Sequence, residues 1–96
     1  MSGDRPLLVF FTSRRSGPAR RMESLLAHIA RKERDSIVVK KVDADERPDL
    51  VEKLGISQVP ALALVIGKRV VARLEGRATA PKIESMLDEQ LDRAAA

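Results

Sequence analysis

Few side chains in this sequence can do chemistry unaided. There is no cysteine, and His28 is the only histidine. A thiolate nucleophile, a disulfide and a Cys/His metal cluster are therefore all excluded. What stands out instead is a short stretch, Ser16-Gly17-Pro18-Ala19, bracketed by Arg14, Arg15, Arg20 and Arg21. A serine hydroxyl stays protonated near neutral pH unless a base takes its proton. The one imidazole, His28, lies about three helical turns downstream, which leaves Ser16 without a base. Pro18 suits the first turn of a helix, where its missing N–H is not needed. A helix N-terminus exposes N–H groups and carries a partial positive charge. Together with the four arginines it would form a site for a carboxylate or phosphate. The plainer reading of the same arginines is a solvated basic surface.

The other charged groups suggest less. Asp43, Asp45, Glu46 and Asp49 are close in sequence, but they lack the spacing and glycine of a calcium loop and read as a solvated helix start. No metal and no cofactor is expected. The net charge is +4. Over residues 1–41, Lys and Arg outnumber Asp and Glu ten to four. That excess favours an anionic partner, such as an acidic protein face. A nucleic-acid partner is not expected, because Phe10 and Phe11 are the only aromatic residues available for stacking.

These residues need a frame, and 96 residues make one domain, 1–96. With so few aromatics the core must be aliphatic. Leu7-Leu8-Val9-Phe10-Phe11 reads as a strand buried on both faces. Met22, Leu25, Leu26 and Ile29 recur at helical spacing and form one apolar stripe, with His28 on its exposed flank. Ile37 to Val42 is a β-branched second strand. Pro48 opens a short helix carrying Leu50, Val51 and Leu54, and Gly55 caps it. Ala61 to Ile66 is a third strand. Gly67-Lys68 turns it back into a fourth strand, residues 69–74. There Arg69, Val71 and Arg73 alternate with Val70, Ala72 and Leu74, which predicts a polar face or a sheet edge. Thr79 or Ala80 precedes Pro81 at the start of a last helix, with Ile83, Met86, Leu87 and Leu91 on its apolar stripe. The order β-α-β-α-β-β-α gives an α/β fold, a four-stranded mixed sheet with helices on both faces. No apolar run is long enough to span a membrane, and no signal peptide is visible, so a cytoplasmic location is expected.

That order is the core of the thioredoxin fold, and local segments agree with it. Phe10-Phe11-Thr12-Ser13-Arg14-Arg15-Ser16-Gly17-Pro18-Ala19 resembles the thioredoxin segment in which a strand runs into a Trp-Cys-Gly-Pro-Cys active site. Val42-Asp43-Ala44-Asp45-Glu46-Arg47-Pro48-Asp49-Leu50 is similar to the family's next strand and the helix that follows it. Leu54-Gly55-Ile56-Ser57-Gln58-Val59-Pro60-Ala61-Leu62 looks like the segment before the cis-proline strand. Glu75-Gly76 matches a glycine after the last strand. The resemblance covers about residues 6–92. The sequence begins at the central strand, without the extra N-terminal strand and helix of full thioredoxins.

The departures bear on function. Ser16 and Ala19 stand where the family has its two cysteines. Arg15 replaces a tryptophan, and Phe10 takes the place of a buried acid. Lys41 matches a lysine near that acid, here without its partner. The resemblance implies that Pro60 is cis and that Val59 presents its backbone to an extended peptide. A groove between residues 14–19 and Val59-Pro60 would then bind a protein segment by backbone pairing. The expectation is a redox-inactive, non-enzymatic thioredoxin-like domain that binds a protein, peptide or anionic ligand through the former active-site face. The alternative is a member of a thioredoxin-type redox system whose thiols were mutated away or come from a partner. A structural subunit dimerising through the edge at residues 69–74 is a third reading.

Overall fold

The computed structural model describes residues 5–14 and 17–91, with Pro18 and Ala19 described through their backbone. Seven elements follow one another: β1 (Leu7–Thr12), α1 (Gly17–Lys32), β2 (Val38–Asp43), α2 (Pro48–Lys53), β3 (Ala61–Ile66), β4 (Arg69–Glu75) and α3 (Ala80–Gln90). The four strands form one sheet in the order β2-β1-β3-β4. β1 pairs with β2 in parallel, and the β1–β3 and β3–β4 pairs are antiparallel. This is the mixed four-stranded sheet that the apolar runs predict.

Strand alternation sends neighbouring residues to opposite faces. Leu8, Phe10, Leu62 and Leu64 meet Met22, Leu26 and Ile29 of α1 and Ile83, Met86 and Leu87 of α3 on one face. Val9, Phe11, Ala61 and Ala63 meet Leu50 and Val51 of α2 and Leu54 just after it on the other. The two phenylalanines therefore anchor separate aliphatic layers, and both are essentially fully buried. α3 is capped by Thr79, whose Oγ1 accepts the Lys82 N–H at 3.4 Å.

α1 begins at Gly17, and Pro18 lies within its first turn, as the sequence predicts. One boundary and one pattern differ from the sequence expectations. β2 begins at Val38, because the Ile37 N–H is held by the Glu33 carbonyl in the turn that closes α1. Ile37 keeps its side chain in the α1/α3 core all the same. β4 is the sheet edge that the sequence pattern allowed, but its simple alternation is interrupted by a bulge: Leu64 pairs with Ala72 while the next residue, Val65, pairs with Val70. The extra residue on β4 is Val71. It packs into the α1/α3 core, whereas Val70 packs into the α2 core.

Candidate functional site: the loop end of the sheet

The register gathers several loops at one end of the sheet. Phe11 pairs with Ala61, and Ala61 in turn pairs with Glu75. The loop leaving β1, the segment entering β3 and the loop leaving β4 therefore emerge side by side. β2 ends there too, since Thr12 pairs with Asp43 and the Ala44 N–H bonds the Thr12 carbonyl at 2.9 Å. The Val59–Pro60 peptide bond is cis. The Pro60 carbonyl accepts the Gly76 N–H at 2.7 Å, which ties the β3 entrance to the β4 exit. Gly76 has φ +87, and a Cβ there would sit 3.0 Å from Gln58 Nε2. Only glycine takes that backbone at that spacing without strain.

The sequence-predicted residues fall around this end. Gly17 is exposed at the start of α1, and Pro18 and Ala19 follow in its first turn. Arg15 and Ser16 lie outside the described residues. Arg14, Arg20 and Arg21 are exposed, Val59 is half-buried and Pro60 is buried. No acidic residue occupies the first turn of α1, so nothing there offsets its dipole.

Among the described residues, Arg14, Arg20 and Arg21 do not form one cluster. Arg14 and Arg20 line a groove of about 470 Å³ together with Lys41, Glu23, Asp43 and Glu46. Three cations there face three carboxylates. The Arg14 guanidinium is 3.9 Å from Glu46. Lys41 donates to Glu23 across 3.3 Å. This pairing with Glu23 of α1 was not identified from the sequence. Phe10 closes the base of an adjoining cavity of about 300 Å³ lined also by Leu26, Ala27, Ala30 and Val39. Arg21 points elsewhere. It lines a second cleft, of about 320 Å³, with Met22, Leu25, Arg77, Ala78 and Thr79. Sequence reasoning named Thr79 only as a helix start and missed Arg77 and Ala78. The signal was available in Gly76, which had marked the end of β4.

The acidic residues after β2 are structural. Asp43 accepts the Asp45 N–H at 2.8 Å, and Asp45 accepts the Ser13 hydroxyl at 3.0 Å. Arg47 grips Asp49 with two hydrogen bonds, at 3.1 and 3.0 Å. Those bonds hold the exposed Asp49 carboxyl below the ordinary aspartate range. Among the described residues, no group of His, Cys, Asp and Glu is placed to hold a metal ion, and no helix is long and apolar enough to cross a membrane.

Comparison with known proteins places this geometry. The family model "Thioredoxin" matches residues 1–89. The chain is 34% identical over 91 residues to the thioredoxin of Alicyclobacillus acidocaldarius, covering 95% of this chain and 87% of that one. It is 34% identical over 88 residues to a thioredoxin-like protein of Synechocystis sp., covering 92% and 81%. The crystal structure of the germline-specific thioredoxin Deadhead from Drosophila melanogaster superposes with a TM-score of 0.83 at 28% identity, covering 91% of this chain and 82% of that one. With the family model matched across residues 1–89 and a relative 34% identical over 95% of the sequence, this cysteine-free chain belongs to the thioredoxin family.

Proposed function

We propose that this domain is a redox-inactive member of its family that binds a protein segment at the loop end of the sheet. The described part of this face comprises Arg14, Gly17, Pro18 and Ala19 on one side and Val59-Pro60 on the other, with Arg15 and Ser16 outside the described residues. The observation that carries this reading is the Pro60–Gly76 hydrogen bond beside the end of β1. The frame that presents a strand entrance is held in place in a chain that contains no thiol. Disulfide exchange begins with attack by a thiolate, and none of the residues in this frame supplies one. A strand entrance flanked by side-chain clefts is suited to an extended peptide.

Two experiments test it. Insulin reduction driven by a dithiol regenerant proceeds no faster with the domain than with buffer; clear turnover refutes the redox part. Selection of a random dodecapeptide library on the immobilised domain yields binders, and the best of them shifts the amides of residues 12–14, 17–21, 57–59 and 76–79 in NMR. Replacing Arg14, Arg15 and Val59 together by alanine removes that binding. Failure to select any peptide, or a shift map confined to the opposite end of the sheet, refutes the binding part.

A further inference from the structure

Resting on that reading, we propose that the bound segment carries a carboxylate beside an apolar side chain, the carboxylate held between Arg21 and Arg77 and the apolar group in the cleft between them. The cleft lies between the first turns of α1 and the loop joining β4 to α3, and it encloses about 320 Å³. Its floor is apolar: Met22 and Ala78 are buried at 4% and 8% exposure, and Leu25 is half-buried. Its rim is cationic, since Arg21 and Arg77 are both exposed lining residues. Neither guanidinium makes an ion pair with any described residue, in contrast to Arg14 with Glu46 and Lys41 with Glu23.

An apolar floor under two uncompensated cations calls for a ligand with both characters. A planar guanidinium fork matches a carboxylate oxygen pair in geometry as well as charge. The floor suits a hydrocarbon side chain, and both aromatic residues of the chain are buried, so none is left on the surface for base stacking. A protein segment supplies the carboxylate and the hydrocarbon together. Position favours the same ligand. Arg77 directly follows Gly76, whose N–H is bonded to Pro60. A segment lying along Val59-Pro60 therefore meets the cleft as it crosses the β4 exit. Thr79 closes the far wall and is already committed as the α3 cap.

The dodecapeptide library provides the test when it is selected separately on the wild type, Arg77→Glu and Arg21→Glu domains. Circular dichroism first establishes that each variant is folded, as exposed positions allow. Peptides recovered on the wild type are enriched in Asp or Glu next to Leu, Ile, Val or Met. Their affinity falls about three- to tenfold on Arg77→Glu, the range that loss of an exposed charge pair spans when some desolvation accompanies it. Selection on either variant loses the acidic enrichment or replaces it with Lys and Arg. Wild-type peptides without acidic bias, bound equally by both variants, overturn this assignment and leave the peptide-binding reading standing. An empty selection overturns both.

Discussion

Arg20 and Arg21 are neighbours in the sequence and line different clefts. Consecutive helical residues point about 100° apart, so one turns toward β2 and the other toward the start of α3. On the β2 side, Arg14, Arg20 and Lys41 meet Glu23, Asp43 and Glu46, so among the described residues the three cations are matched by three carboxylates. On the α3 side, Arg21 and Arg77 stand over Met22, Leu25 and Ala78, and among the described residues no carboxylate lines the cleft. The contrast shows that counting arginines near a helix start does not locate an anion site. What matters is whether the neighbouring elements bring acids with them. Among the described residues, the first groove brings its own carboxylates and the second does not.

Substitutions can break or sharpen this contrast. The largest effect belongs to the apolar base of the compensated side. Phe10→Ala removes a ring that is 1% exposed and lowers stability by about 3–5 kcal/mol in urea titration, the usual range for an emptied aromatic site. On the other side, Thr79→Ala removes the α3 cap and one wall of the bare cleft. It costs about 0.5–1 kcal/mol, toward the lower end for a cap because the bond is long. A fall as large as that of Phe10→Ala would mean that the bare cleft is a packed part of the core and not an open site. Lys41→Gln breaks the exposed pair with Glu23. It changes the melting midpoint by the equivalent of about 0.5 kcal/mol or less, and it leaves selected peptides bound as before.

The smallest effect is a pH dependence remote from both clefts. Hydrogen bonds from Arg47 lower the Asp49 pKa in the folded chain. A depressed carboxylate contributes stability that is present above its unfolded pKa and lost as the pH falls through the folded value. Carbon-detected NMR titration therefore finds the Asp49 midpoint below the ordinary aspartate value, and Arg47→Gln moves it upward. No shift on that substitution would show that the Arg47 bonds are not what holds it.

Much of the frame was legible in the residues. Leu7 to Phe11, Ala61 to Ile66 and the Gly67-Lys68 turn defined strands whose periods and punctuation left little choice. Thr79 before Pro81 marked the α3 start. The site was legible only in part. Pro60 and Gly76 stood out, but the hydrogen bond between them depends on the β1–β3–β4 register, which no local pattern states. The bulge at Val71 hid because alternation presumes one residue opposite one residue. The pairing of Lys41 with Glu23 depends on how α1 lies across the sheet, and so does the separation of Arg20 from Arg21. Arg77 passed unnoticed because its significance comes from the cleft it shares with residues of α1, more than fifty positions earlier.

The difference between the two clefts can be measured with the simplest ligand that combines a carboxylate and a hydrocarbon tail. Sodium butyrate is added at constant ionic strength while every backbone amide is followed by nitrogen-15 NMR. The account predicts saturating shifts at residues 21–25 and 77–79 and none at residues 12–14 and 43–46. Shifts concentrated in the second set, or spread evenly over both, would contradict it.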